Sequence, residues 1–307
     1  MTGISEGMQE SPMLPKHGIS ANKPSRTPIP HLTAPDLAHA KQRHHVDSAS
    51  QCLRQHGILK VSLGFPDPDS RYLEQLVLSL HQHHGHRLPI PHSASRGWFW
   101  DVRPTGVDDA TPFQTPEHQA RSETMEAFPW HTDCSYEELP PRYFALHVLQ
   151  HDRFGGGTLS LMSVPRLAQQ LSPSARASLM RNEYSIRTPP EFVRDPEKSD
   201  IVGSILTAAG GEDHHHSGVM TTTMMMMRFR RDIVVPLTER ASRALQEVDA
   251  LLKNDRAQAE STLHLSSGDL SAGSVVLLDN RRWLHARNNI RDPKRHLRRV
   301  RWDAVPF

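Results

Sequence analysis

His131-Thr132-Asp133, inside the stretch FPWHTDCSYE, places an imidazole and a carboxylate two positions apart. In extended backbone such residues project to the same face, so both side chains can approach one cation. The pair alone proves little: with 21 histidines and 19 aspartates in 307 residues, chance supplies about one His-x-Asp. A second copy, His45-Val46-Asp47, sits in a polar stretch of helical character, where positions two apart diverge, and reads as surface structure. A metal site needs a third ligand. Two histidines and one carboxylate form a facial set on octahedral iron(II), leaving three adjacent positions for small molecules. The best-placed third ligand is His285, in LLDNRRWLHARNNIRDPKRHLRRVRWD, because it follows a buried-strand pattern and opens another extended run. Taken alone, His285 is equally an ordinary hydrogen-bonded core histidine.

The elements that must position these residues are mainly strands. From Tyr143 onward, short apolar runs (YFALHVL, TLSLMSV, IVGSIL, VMTTTMMMMRF, STLHL, SVVLLDN, LRRVRWD) alternate with turn-rich segments. Two helices are expected among them, Val164 to Met180 and Thr238 to Lys253. This order favours a double-sheet jelly roll over the runner-up, a doubly wound parallel sheet. Upstream, a helix stopped by Gly57, a strand over Ile58 to Phe65 and a helix with Leu73, Leu76, Val77 and Leu80 on its buried face are expected. Residues 1–32 mix Pro, Ser, Gly and charge without a period and read as a flexible arm, leaving 33–307 as a single domain with helical and loop insertions. Residues 85–127 read as a long connection whose RGWFWDVRP supplies aromatic mass.

Several other features are set aside on physical grounds. The GGGT at Gly155 to Thr158 lacks the Gly-Lys-Ser/Thr of a phosphate loop. His214 to His216 are adjacent, so a regular strand cannot aim all three at one ion, and their polar flanks read as a turn. Met224 to Met227 reads as packing. The net charge of +2 leaves no basic aromatic stripe, so nucleic acid is not an expected partner. Cys52 and Cys134 are the only cysteines, which excludes a disulfide framework and a cysteine zinc site. Without an apolar stretch near the roughly 20 residues that span a bilayer, and without a signal peptide pattern, the expectation is a cytoplasmic protein with no membrane partner. A homo-oligomer is compatible with the sequence.

From Ile58 onward the chain resembles the TauD/TfdA branch of the Fe(II)- and 2-oxoglutarate-dependent dioxygenases, within the clavaminate-synthase-like superfamily. The resemblance is carried by FPWHTDCSYE, PPRYFALHVL, GGGTLS and LLDNRRWLHARNNIRDPKRHLRRVRWD. It implies a mainly β fold with peripheral helices, a double-stranded β-helix or distorted jelly roll. It further implies iron on His131, Asp133 and His285, with molecular oxygen and 2-oxoglutarate as cosubstrates. Thr158 matches the family threonine at the distal carboxylate of 2-oxoglutarate, and Arg295, 10 residues beyond His285, matches the arginine that clamps it. Arg299 matches a second family arginine, with a supporting or substrate-facing role. Arg298 or Arg299 replaces Arg295 as the clamp if Arg295 faces away.

The activity implied is hydroxylation, or a related C–H oxidation, of a small polar metabolite such as an amino acid, amine or organic acid, coupled to decarboxylation of 2-oxoglutarate to succinate. Trp98 and Trp100 are candidate apolar walls for the substrate, and Arg142 and Arg299 candidate anion partners; packing is the competing role for each. The readings from other classes are a non-catalytic cupin-like metal-binding or ligand-sensing module, and a zinc site, which takes the same donor atoms without redox chemistry. Cys134, next to Asp133 in extended backbone, is expected to point away from the ligands.

Overall fold

The computed structural model describes residues 29–91, 97–104, 119–193, 195, 199–209 and 224–307. The chain is mainly β, with helices at its periphery. The arm expected over residues 1–32 lies outside the described residues up to 28, but its end is ordered: β1 (His31–Ala34) pairs in parallel with β2 (Ile58–Leu63). Between them runs α1 (Arg43–His56), ended by Gly57 in the left-handed conformation at φ 66°. After β2 comes α2 (Arg71–His84), whose Leu73, Leu76, Val77 and Leu80 are buried as the spacing predicts.

A six-stranded sheet contains β3 (Phe99–Val102), β5 (Pro141–Gln150), β13 (Ser274–Asp279) and β15 (His296–Ala304), in the order β1-β2-β13-β5-β15-β3. Apart from the β1–β2 pair its strand pairs are antiparallel, which excludes the doubly wound alternative. A four-stranded antiparallel sheet, in the order β12-β6-β14-β4, is built from β4 (Phe128–His131), β6 (Leu159–Ser163), β12 (Thr262–Leu265) and β14 (Trp283–Arg287). The two sheets face each other across one apolar core, with Phe144, Leu146, Val276 and Leu297 from the first against Leu159, Leu161 and Leu265 from the second. They are hydrogen-bonded separately, without closing into a barrel.

Alternation along β5 and β15 fixes which side chains enter that space. Tyr143, Ala145, Val300 and Trp302 pack outward against α1 and α2, so Phe144, Leu146, Leu297, Arg299 and Arg301 face inward. The four-stranded sheet is backed by a second cluster from α3 (Val164–Gln170), α4 (Pro173–Leu179) and α5 (Glu239–Lys253). The single helix expected over 164–180 is thus two. Ser172 caps the second through its hydroxyl, and Pro173 cannot continue the first because it lacks the N–H a helix interior requires. Thr238 caps α5 likewise, and the unexpected α6 (Asp255–Ser261) follows it. Beside these helices lie β7 (Tyr184–Arg187), β8 (Asp200–Gly203), β9 (Leu206–Ala208), β10 (Met225–Met227) and β11 (Val234–Pro236), forming a three-stranded and a two-stranded sheet. Met227 is buried in this cluster, as the packing reading requires. His214 to His216 lie outside the described residues.

His45 corrects the reading of the second His-x-Asp. Its ring is buried and its Nε2 bonds the Tyr72 hydroxyl at 2.6 Å, while Asp47 stays on the surface with Arg43 and His84. Among the described residues, no helix is long and apolar enough to cross a membrane.

Candidate metal and cosubstrate site

His131 and His285 stand directly opposite each other in the β4–β14 pair, and directly opposed residues of an antiparallel ladder share a face. That face looks into the space between the sheets, since His285 also pairs with the inward Leu161. Asp133 arrives differently from the expectation. β4 ends at His131, so alternation does not carry the carboxylate; residues 133–136 form a turn with Cys134 at φ 53°. The buried amide of Asn280 holds this turn. Its Oδ1 accepts from the Asp133 N–H at 2.7 Å, and its Nδ2 donates to the carbonyls of Asp133 and Pro141, both at 2.9 Å. One side chain therefore ties the Asp133 turn to the β13–β14 connection that leads to His285.

His131, Asp133 and His285 are all buried and offer three donor atoms within 4.8 Å of one another. Asp133 Oδ1 lies 3.8 Å from His131 Nε2 and 3.5 Å from His285 Nε2. Ligands about 2.1 Å from a shared ion and at right angles are roughly 3 Å apart, so slight contraction around a cation completes the set. The protonation states suit it. His131 Nδ1 donates to the Pro129 carbonyl at 2.8 Å, which leaves Nε2 as the free donor atom. Burial, reinforced by His285, pushes His131 well below its ordinary range and keeps it neutral. Burial alone would raise the Asp133 carboxyl, but Arg299 and the two imidazoles outweigh it and hold the acid well below the usual carboxylate range.

Arg295 sits immediately before β15, buried against the GGGT loop, where its Nη2 donates to the Gly157 carbonyl at 3.1 Å. Its Nη1 is buried without a partner, and burial followed by Arg287 pushes the guanidinium down to about 9. Thr158, Gly156, Gly157, His151 and Leu297 line a pocket with it. Gly157 has φ 60°, and a Cβ there would lie 2.5 Å from Arg295 Nε; one at Gly156 would meet the Arg291 N, the Asn289 carbonyl and Asp152, each at 2.6 Å. The glycines therefore permit close approach of backbone and arginine.

Arg299 enters the metal pocket, with Nη1 3.1 Å from Asp133 Oδ1 and 3.0 Å from Oδ2. Arg298 projects to the other side of β15 and pairs with Asp101 at 2.9 Å. Two candidate substrate contacts fall elsewhere. Trp98 packs against the α1–α2 side of the six-stranded sheet, and Arg142 is 42% exposed, beside Asp279 at 3.7 Å and over the Tyr143 ring. Trp100 is buried between the sheets, opposite Arg299 across the β3–β15 pair, but does not line the metal pocket.

The metal pocket is lined by residues the sequence reading passed over. Cys134 turns into it, contrary to expectation, because the turn ends the alternation. Arg121, Arg230 and Arg301 also line it. Arg287, pushed down to about 10 by burial, donates to the carbonyls of Arg121, Ser122, Thr124 and Glu126 and pins that segment over the pocket. No local sequence signal separates these arginines from solvated ones; the roles of Asn280 and Arg287 depend on carbonyls some 150 residues away.

The family profile described as "Taurine catabolism dioxygenase TauD, TfdA family" matches residues 25–301. Among solved structures, the chain is similar to asparagine oxygenase in complex with Fe(II), 2S,3S-3-hydroxyasparagine and succinate. The identity is 18%, over 89% of this chain and 93% of that one, with a TM-score of 0.59. It is similar too to the non-heme iron oxygenase OrfP with Fe and alpha-ketoglutaric acid, at 15% identity, 91% and 94% coverage and a TM-score of 0.58. No curated protein matches the sequence.

Proposed function

Because the chain belongs to the TauD/TfdA family, and is thereby an Fe(II)- and 2-oxoglutarate-dependent oxygenase, we propose residue roles and a substrate type on that premise. Residues 33–307 form a single catalytic domain, and the facing sheets correspond to the distorted jelly roll, or double-stranded β-helix, of the family. The observation that carries the reading is the convergence of two buried imidazoles and one buried carboxylate on one point.

In this reading His131, Asp133 and His285 hold Fe(II), which supplies oxygen activation when bound. The Pro129 carbonyl fixes the His131 tautomer, and Asn280 fixes the turn that presents Asp133. The free Nη1 of Arg295 and the Thr158 hydroxyl take the distal carboxylate of 2-oxoglutarate in a pocket too dry to stabilise that charge otherwise. Arg299 orients the Asp133 carboxylate and adds positive charge beside the cosubstrate. The segment pinned by Arg287 keeps bulk water from the reacting C–H bond. The substrate is a small polar metabolite, with an amino acid the first choice, since the similar solved structures include enzymes complexed with hydroxylated asparagine and arginine.

Anaerobic titration of the iron-loaded protein with 2-oxoglutarate should produce a saturable visible absorption band. Oxygen and a metabolite panel should then give substrate-dependent succinate. A folded, iron-loaded sample that forms no chelate with 2-oxoglutarate would sink the reading.

A further inference from the structure

Arg295 offers an incoming carboxylate only part of its donor set. A guanidinium grips a carboxylate best through two parallel N–H donors, yet Nη2 of Arg295 already donates to the Gly157 carbonyl, and its Nε lies against the Gly157 backbone. Nη1 is the buried nitrogen left free. An ionised carboxylate has two oxygens and accepts about four hydrogen bonds, more than Nη1 and the Thr158 hydroxyl provide together.

Most of the remaining pocket wall has nothing to add. Val148, Leu270 and Leu297 are apolar and buried. Asp152 is itself an acid, and its acceptors are occupied: Oδ2 takes the N–H groups of Arg291 at 2.7 Å and Asp292 at 3.2 Å, and Oδ1 takes that of Phe154 at 2.9 Å. His151 is different. Its ring lines the same pocket as Arg295 and Thr158, and its Nδ1 is buried without a hydrogen-bond partner among the described residues. The residue directly follows β5 and is held on both sides. The Gln150 side chain donates to the His151 carbonyl at 3.1 Å, and the Asp152 bonds tie the next residue to the Arg291–Asp292 backbone. A buried polar atom without a partner costs about 1–3 kcal/mol. Here two such atoms, His151 Nδ1 and Arg295 Nη1, border one small cavity, and a single anion between them satisfies both.

Resting on the oxygenase reading, we propose that His151 is a third anchor for the distal carboxylate of 2-oxoglutarate, donating from Nδ1 beside Arg295 Nη1 and the Thr158 hydroxyl. The 2-oxo acid head binds elsewhere, at the iron ligands, so His151 acts on recognition of the tail alone. It sharpens the choice of a 2-oxo acid with a second carboxylate over one without.

The test loads the full chain anaerobically with Fe(II) and titrates it with 2-oxoglutarate and with 2-oxopentanoate, the same chain ending in a methyl group. The visible absorption band and calorimetry read binding to the natural protein and to His151→Phe, His151→Asn and His151→Gln. Phenylalanine keeps a ring without a donor, asparagine puts an amide N–H at the reach of Nδ1, and glutamine puts it at the reach of Nε2. His151→Phe should weaken 2-oxoglutarate binding by about 10- to 100-fold, the worth of one hydrogen bond to a charged group, and leave 2-oxopentanoate within about twofold. His151→Asn should hold 2-oxoglutarate within about fivefold of the natural protein, while His151→Gln falls with His151→Phe.

Undiminished 2-oxoglutarate binding in His151→Phe would overturn the proposal. So would an equal loss for both oxo acids, which makes His151 a packing residue of its loop, or a glutamine variant as tight as the asparagine one, which removes Nδ1 as the donor. Should His151→Phe fail to fold, the gap between His151→Asn and His151→Gln decides the matter, since it should appear with 2-oxoglutarate and vanish with 2-oxopentanoate. Failure of the oxygenase reading looks different: the natural protein then forms no band with either acid, and both readings fall together. Failure of this proposal alone leaves the natural protein's band in place and removes only its dependence on His151.

Discussion

The four-stranded sheet brings His131 and His285 to the site, whereas the six-stranded sheet brings Arg299 and Arg301, with Arg295 at the entrance to the same strand. Burial acts on both groups in the same direction, since it disfavours charge, but with opposite consequences. It makes the His131 imidazole neutral and therefore a ready metal donor. It leaves the Arg295 and Arg301 guanidiniums charged and underpartnered, and therefore ready for anions. One wall is thus built for a cation and the other for the anionic molecules that accompany it, so losses on the first should abolish chemistry and losses on the second should change what binds.

The largest test of this division is His285→Ala, which should remove iron binding and lower succinate formation by roughly a thousandfold or more, read by iron content and turnover together. Substantial iron retention would break the contrast at its strongest point. On the opposite wall, Arg295→Gln should raise the KM for 2-oxoglutarate by about 100-fold while iron content is kept. A comparable rise from Arg298→Gln instead would mean that the inward and outward faces of β15 have been exchanged.

A smaller effect comes from pH, behind the six-stranded sheet. Burial pushes His86 and His147 down to about 4 from an ordinary 6.5, with Trp302 Nε1 donating to His86 and the Ser70 hydroxyl bonded to His147. Because the folded state favours their neutral forms, their contribution is fully present above pH 6.5 and is lost as pH falls from 6.5 through 4. Each should contribute about 2 kcal/mol to that loss once partial burial is allowed for, measured by denaturant unfolding across the range. The smallest expected effect is that of Arg298→Ala: loss of its partly buried pairing with Asp101 should cost about 1 kcal/mol and leave the KM for 2-oxoglutarate in place.

The metal ligands were legible because three residues of two types, two histidines and an aspartate, had to coincide, two of them within three positions. Even so, Asp133 reaches the site by another route than strand alternation, since a turn clamped by Asn280 does what extended backbone was expected to do. The strands β5, β6, β12, β13 and β15 were legible from apolar runs, whereas IVGSIL proved to be parts of two strands, β8 and β9, no run marked β7 or β11, and VMTTTMMMMRF lies partly outside the described residues. The break between α3 and α4 was written in Ser172-Pro173, a cap and a helix breaker side by side, which the apolar periodicity across 164–180 obscured. The arginines were hardest. Long side chains of one type crowd 281–301, and which of them face inward follows from the pairing of β15 with β5, a partner some 150 residues away in the chain, so spacing alone could not choose among Arg295, Arg298, Arg299 and Arg301. The same limit applied to Trp98 and Trp100, which pack on opposite sides of the six-stranded sheet.

The position of β5 between β13 and β15 also sets a timetable. Leu146 pairs with Val276 and Val148 with Leu297, so both neighbours of β5 are translated roughly 130 to 150 residues after it. At about 5–20 residues per second, a ribosome takes on the order of 10 seconds or more to supply them. Throughout that interval β5 has two open edges and an apolar face of Phe144, Leu146 and Val148, the kind of surface that recruits chaperones or other nascent chains. His131 and Asp133 wait equally long for His285, so a newly made chain has no complete iron site until β14, which lies in the chain between those two late strands, has been delivered.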